Sequence, residues 1–430
     1  MRPVGWLSSG HRSCQLDNHS HLEWALAATP RSTALKHSTI AWLLAATAAA
    51  CAPAWAQNTA AKPAAANKAV AADIAPAVRH HAVLVSAAYE DALAAAQALQ
   101  TAIHAFLDKP SQPGLDAARK AWLDAREFYG QTEAFRFYGG PIDSDDGPEG
   151  RINAWPMDES YVDYVVDAPD AGIINNRKLQ ISKKQLSSLN ERDGEENIAT
   201  GWHAIEFLLW GQDLSESGPG NRPYTDFVDG GKPNADRRRQ YLRVVTELLV
   251  DDLRSVARAW APNQAKNYRA RFERGGMESV RKMLVGLGSL SRGELAGERL
   301  EVALASQDQE DEHSCFSDNT HRDAVANATG ILNVWLGQFK RRDGSQVQGP
   351  GLRDLVAARD AAVAEKTSRQ IATSVAAAEA IPAPFDQAIK VGNPGRARIQ
   401  ATIDSLTQQS KDIVEAASAL GITKLTLVQP

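Results

Sequence analysis

At 430 residues the chain is long enough for two domains with real cores, and its net charge of −5 lacks the basic excess of a nucleic-acid binder, so nucleic acid is set aside as a partner. Aromatic residues make up only 7% of a chain rich in alanine runs, which favours helix over sheet. Of the three cysteines only Cys315 lies beyond the N-terminal segment, so stability must come from packing rather than from an internal disulfide.

Residues 40–51, IAWLLAATAAAC, form a short apolar run preceded by Arg31 and Lys36 and followed by Ala54-Trp55-Ala56. That is the layout of a secretory signal, too short to span a bilayer, and it predicts cleavage after Ala56 and export to the periplasm. The polar stretch 1–38 is long for such a signal and suggests that the natural start lies further downstream. Ala48-Ala49-Ala50-Cys51 also resembles a degenerate lipoprotein box, with Ala48 where Leu is usual; the alternative is therefore a membrane anchor through a lipidated Cys51. Residues 57–72, rich in Ala, Pro, Lys and Asn, read as a flexible linker, with folded structure from Asp73.

Apolar residues recur at three- and four-residue steps from Ile74 to Leu107, which predicts one long helix stopped by Pro110 and Pro113. Leu115 to Phe137 is its antiparallel partner, with Trp122, Ala125 and Tyr129 on one stripe. His80, His81 and His104 on the first helix read as solvated or core histidines. At the end of the second helix, Glu133 and Arg136 stand three apart, where a Glu–Arg bridge is the simple role. Residues 139–196 are rich in turn formers, with short helices expected around Ser160–Val166 and Ser182–Asn190; Trp155 is an aromatic that can wall a site. Asp143, Asp145 and Asp146 lack the twelve-residue calcium loop and read as a solvated turn.

The segment Asn197–Asp213, NIATGWHAIEFLLWGQD, holds the pattern Gly201-x-His203-x-x-Glu206 inside an otherwise apolar run. A helix that is apolar all round is buried, and residues three apart share a face, so His203 and Glu206 form one polar spot on a buried rod. A buried carboxylate needs a partner. An Arg or Lys, hydrogen bonds from other helices, or a metal ion held by imidazole and carboxylate all satisfy it, and zinc or ferrous iron accepts that mixture of donors.

The loop 214–235 marks an expected domain boundary. Helices are predicted from Asp236 to Trp260, with Arg237–Arg239 as a solvated face, and from Met277 to Leu304, where Gly286, Gly288 and Gly293 weaken the pattern. Glu310–His321 then gathers acids and histidines. If Glu310–Ser317 is helical, Glu310 and His313 share the Glu-x-x-His spacing of di-iron bundles, and Asp318 and His321 repeat it one turn on. Asp318, Ser317 and His321 are accordingly candidate site residues, while Asp318, Asn319 and Thr320 also serve as caps for a helix from about His321. Two last helices, Leu352–Ala380 and Pro394–Leu420, close a second bundle.

Three strings, GWHAIEFLLWGQD, HSCFSDNTH at His313–His321 and the Tyr138–Asp143 run YGGPID, resemble the imelysin family of bacterial periplasmic and outer-membrane proteins, over nearly all the chain after Asp73. The resemblance implies an all-α protein of two helical bundles, here 73–235 and 236–425 with a tail at 426–430, and a GxHxxE site between them. It places Glu133 near that site and implies a ligand set drawn from His203, Glu206, Glu133, Asp318 and His321, lined by Gly201, Arg136, Ser317 and Trp155, for a divalent ion, iron or zinc. It also carries a peptidase label and an association with iron uptake through a membrane component. The chain has no HExxH, the strong zinc-peptidase signal. Metal binding is therefore the leading expectation, a zinc peptidase the second and a metal-free helical scaffold the third.

Overall fold

The computed structural model describes residues 63–215 and 217–429; the expected signal and the Cys51 lipid site lie outside them. The described residues form one compact unit. The architecture is almost wholly helical. Helix α1 (Pro63–Asp108) takes in the second half of the segment expected to be a linker, and α2 (Gln112–Thr132) returns alongside it. Ser111 caps α2 by accepting from the Gly114 N–H at 3.3 Å. A single 3-10 turn, Glu133–Phe135, follows.

Four short helices then cross the turn-rich region: α3 (Glu149–Asn153), α4 (Glu159–Val162), α5 (Gly172–Asn175) and α6 (Lys183–Leu189). The motif helix α7 (Gly201–Trp210) buries all ten of its residues, and each large apolar side chain so removed from water contributes roughly 1.5–3 kcal/mol. It packs on α2, α3 and on α8 (Ala235–Trp260), and α8 also lies along α1. The boundary expected at residue 235 therefore separates α8 from the elements it packs against.

Arg237–Arg239 is not a solvated face. Arg238 is fully buried and clamps Asp163 through two bonds, at 2.6 and 2.9 Å; Arg222 meets the same carboxylate at 2.7 Å. Arg237 donates to the carbonyls of Ile173, Ile174, Asn176 and Leu179, so this run ties the loops of residues 163–227 to the start of α8.

After α9 (Tyr268–Glu273), α10 (Met277–Ser289) runs on into a π-helical stretch, Leu290–Glu301, and then α11 (Val302–Ser306). The glycines here admit a neighbour: a Cβ on Gly293 would stand 2.9 Å from the Val428 carbonyl oxygen, where the chain's last segment lies across the helix. The helix expected over Glu310–Ser317 is absent; a 3-10 turn at Gln309–Asp311 and irregular turns replace it. Helix α12 (Thr320–Leu336) leads to a small antiparallel hairpin, β1 (Gln338–Lys340) with β2 (Gln346–Gln348), which the sequence reading lacks. The helix expected over 352–380 is two, α13 (Leu352–Ala357) and α14 (Ala361–Glu379), because Asp360 caps α14 by accepting from the Ala362 and Val363 N–H groups. Helices α15 (Phe385–Ala388) and α16 (Gly395–Ala419) finish the fold, with α16 packed on α14, α10 and the π-helical stretch.

The crossing of α2 and α12 positions the polar interior, and two glycines make it close. A Cβ on Gly330 would stand 2.3 Å from the Gln131 carbonyl oxygen, and one on Gly130 would stand 2.7 Å from Ala326 Cβ. Gly330→Ala is expected to cost about 1–3 kcal/mol of unfolding free energy by forcing the helices apart. Urea denaturation reads this directly, and an unchanged midpoint would show that the crossing has slack.

Candidate functional site

Helix α7 begins at a point only glycine fits: Gly201 has φ of 85°, and a Cβ there would lie 2.4 Å from the Ile152 carbonyl oxygen. Gly201 thus sets the helix against α3 rather than lining a site. Thr200 does not cap the helix; its hydroxyl donates to the Arg151 carbonyl at 2.9 Å. With the register so set, His203 Nδ1 and Glu206 Oε2 stand 2.9 Å apart, and both residues are buried. Glu206 Oε1 accepts from the Ser317 N–H at 3.0 Å and from the Ser317 hydroxyl at 2.6 Å. Ser317 is therefore the link between the motif helix and the 309–319 segment.

His313 is the residue whose part the sequence reading understates. Its ring meets that of His203 edge-to-face, with centroids 4.8 Å apart. Its Nδ1 lies 2.9 Å from Asp323 Oδ2, an oxygen that also accepts from the Ser314 hydroxyl at 2.5 Å. Arg126 closes the group by donating to Asp323 Oδ1 and, at 2.6 Å, to Asn153, while lying over the rings of Trp122, Tyr129 and Trp202. Trp155 does wall the site: its ring meets His313 at 5.6 Å, and its indole N–H donates to the Glu312 carbonyl at 2.6 Å.

The arrangement repeats itself. Each imidazole has a carboxylate at Nδ1, and each Nε2 is buried without a hydrogen-bond partner. Burial pushes both imidazoles well below the usual histidine range, so both are neutral. Burial also pushes Glu206 up, to about 8, against the pull of its Ser317 bonds.

The remaining candidates fall elsewhere. Glu133 is held by Arg299 at 2.5 Å and Arg136 at 3.1 Å; burial alone would raise its pKa, but the two guanidiniums bring it down to about 2. It is the centre of an ion-pair network rather than a free ligand. Arg136 makes the expected bridge to Glu133 and also meets Glu149 at 3.0 Å and Glu294 at 3.3 Å. Asp318 has φ of 55° and faces Asp213 rather than Glu206; burial, then Asp213 and Asp386, push its carboxyl up to about 7. His321 Nδ1 lies 3.1 Å from the Asp318 carbonyl oxygen, away from the two histidine–carboxylate pairs. A cavity of about 290 Å³, lined by Arg136, Glu149, Trp155, Glu294, Arg299 and His313, opens onto the His313 side of the site.

Arg126, Asp323, Glu294 and Arg299 are absent from the sequence reading. Arg126 carried a usable signal, a charge next to the apolar stripe of Trp122, Ala125 and Tyr129; Glu294 and Arg299 carried none, since only the π-helical winding brings them together.

Among the described residues, no three His, Cys, Asp or Glu side chains gather into a complete metal-ligand set. The two histidines nevertheless fit part of one. A metal-bound His nearly always has a carboxylate at its other ring nitrogen, and here both have an acid at Nδ1 with Nε2 left over, Arg126 Nη2 also standing 3.4 Å from His313 Nδ1.

Above pH 7 the imidazoles are neutral in both the folded and the unfolded chain, so raised carboxyls govern the pH dependence there. Glu206 folded holds its proton up to about pH 8, whereas at its ordinary value of 4.5 the unfolded chain has already lost it. Unfolding then releases a proton, so the stability of the metal-free protein falls as pH rises from about 7 towards 8, by up to about 1.4 kcal/mol per pH unit for one group. Glu206→Gln is expected to flatten that slope. Thermal melts across this range in chelator decide it; a variant as steep as the parent contradicts the assignment.

Comparison with known proteins places this geometry in a family. The iron-regulated protein A of Synechococcus elongatus is 27% identical over 311 residues, covering 70% of this chain and 74% of that protein. A structure from Parabacteroides distasonis, described as an iron-regulated protein A precursor, superposes with a TM-score of 0.60 at 18% identity, covering 84% of this chain and 97% of its own. An imelysin-like protein from Psychrobacter arcticum gives 0.57 at 16% identity, with 84% and 96% covered. These two show a shared fold. The imelysin family profile (Peptidase_M75) matches residues 85–413, most of the described structure, and the chain belongs to that family.

Proposed function

We propose that this chain is an exported metal-binding protein that takes up a divalent transition ion, iron or zinc, on His203 and His313 and serves iron uptake. One observation carries the reading: two adjoining buried imidazoles, each held at Nδ1 by a carboxylate, each with an unpartnered Nε2. Leaving a buried polar nitrogen unmatched costs about 1–3 kcal/mol, a cost with no return in a plain scaffold. Asp323, and Glu206 once metal binding displaces its proton, then act as orienting partners that raise the basicity of the imidazoles, rather than as ligands themselves. Two protein donors leave the rest of the coordination to water or to a carrier, which suits a cargo that must depart again.

A peptidase needs a carboxylate free to act as base beside the metal. Here Glu206 is bound by Ser317, Asp323 by Arg126 and Ser314, and Glu133 by two arginines, so binding is the better reading. The names of the iron-regulated relatives favour iron over zinc as the cargo. The apolar run at 40–51 and the word precursor used of the Parabacteroides protein support release into the periplasm, where a membrane component of iron uptake would be the partner; lipidation at Cys51 is the alternative. Packing of α1, α2, α7 and α8 with one another, and of α14 and α16 with α12 and α10, supports the two-bundle organisation, with the site beside the α2–α12 contact.

Equilibrium dialysis of the mature protein against ferrous iron and against zinc, under anaerobic conditions, tests the reading beside His203→Ala and His313→Ala. About one equivalent should bind to the parent and be lost in each variant. Equal binding by all three proteins, or none by the parent, would sink it.

A further inference from the structure

The cavity of about 290 Å³ beside His313 is walled by polar groups that are not fully matched. Four of its lining residues are almost wholly buried: Arg136 is 9% exposed, Asn153 4%, Arg299 2% and His313 1%. Each carries one buried polar atom without a hydrogen-bond partner, namely Arg136 Nε, Asn153 Nδ2, Arg299 Nε and His313 Nε2. The rest of each side chain is engaged. Arg136 gives its Nη groups to Glu133, Glu149 and Glu294, and Arg299 gives its own to Asn327, Glu133 and Glu294. Asn153 Oδ1 accepts from Arg126 at 2.6 Å, and His313 Nδ1 meets Asp323. Those bonds fix the orientation of all four groups, so the atoms left over are held in place.

Three of the four are N–H donors, and they come from separate elements: Asn153 from α3, Arg136 from the end of the 133–135 turn and Arg299 from the π-helical stretch. Buried polar groups are nearly always paired, so three donors around one cavity call for the oxygens of a ligand. The fourth atom, His313 Nε2, is the nitrogen left over for an ion. One cavity thus joins a place for a cation to a set of donors for oxygen.

Charge narrows the ligand. The two lining guanidiniums stand against four lining carboxylates, Glu149, Glu191, Glu294 and Glu298, the second and last of them exposed. A free polyanion meets no net positive field here, and a bare cation leaves the donors unmatched. A carboxylate that is already chelating the ion answers both needs: the ion cancels most of its charge, and its outer oxygens accept from the N–H groups. The volume is at the small end of ligand pockets, which suits a small hydroxy acid. We propose that this cavity binds a small chelating carboxylate, which enters with the ion and supplies the coordination that His203 and His313 leave open. Arg136, Asn153 and Arg299 hold its oxygens. The inference rests on the metal-binding reading and names the form in which the ion arrives.

The test is equilibrium dialysis of the mature protein against radiolabelled citrate, with and without equimolar zinc, beside an arm with zinc alone. Zinc should raise citrate retention by roughly tenfold or more. Arg136→Lys keeps the charge but removes the Nε donor, and most of that gain should be lost. Ala154→Phe fills the cavity from a lining position that makes none of these bonds; it should abolish citrate retention while zinc alone binds as in the parent. Should Arg136→Lys fail to fold, Ala154→Phe decides the matter. If the parent binds zinc yet holds citrate no better with it, or if Ala154→Phe retains citrate fully, the proposal is overturned and the metal-binding reading stands. If the parent binds no zinc, both fall.

Discussion

A carboxylate at the Nδ1 of each buried imidazole is the constraint that the rest of this structure serves. An imidazole in an apolar interior can present either nitrogen, and its tautomer decides which one is a donor. Glu206 and Asp323 engage Nδ1 from opposite sides and leave Nε2 to face away from them: one lies three residues along the same helix as its histidine, the other comes from α12. Both carboxylates are then held in turn, Glu206 by Ser317 and Asp323 by Arg126 and Ser314. The polar groups form a chain of obligations across α7, α2, α12 and the 309–319 segment, and none of those elements can shift alone.

Buried charge in this interior is organised around arginines. Arg126, Arg238 and Arg299 are each at most 2% exposed, and each faces a carboxylate from a remote part of the chain. Such pairs are poor sources of stability, since desolvation offsets most of the attraction, but breaking one strands a charge. Their effect is on arrangement: Arg299 fixes the π-helical stretch to the end of α2, and Arg238 fixes α8 to the loop around Asp163. The ordinary burial of tryptophans and leucines around α7 supplies the cohesion.

How much of this was legible follows from which contacts are local. The i, i+3 spacing of His203 and Glu206 inside an apolar run is enough to place both on one face of a buried helix, and the Glu133–Arg136 bridge is equally local. Ser317 stands out in the sequence only as a member of the acid- and histidine-rich segment, and its partner Glu206 is not legible there because the bond spans 111 residues. His313 is undervalued because the turn that carries it has no periodicity: the helical reading of Glu310–Ser317 pairs it with Glu310, whereas its partner is Asp323, ten residues on. A left-handed backbone at Asp318 turns that side chain towards Asp213, and nothing in the residue type announces it. The Arg237–Arg239 run failed for the opposite reason: three adjacent cations look solvated, yet their partners are loop carbonyls and a buried acid supplied from elsewhere.

The π-helical stretch Leu290–Glu301 has a consequence for phase. Glu294 and Arg299 are five residues apart and hydrogen bond at 2.7 Å. At the α-helical 3.6 residues per turn, they would point about 140° apart around the axis. Winding with i→i+5 bonds stacks them instead, so a single wide turn holds an acid and a base side by side and offers both to Arg136 and Glu133. The clamp on Glu133 is thus encoded in residue count rather than in residue type. Losing one residue between 290 and 293 would leave the composition of the helix and the Glu294–Arg299 spacing unchanged, yet turn both side chains together away from Glu133 and Arg136.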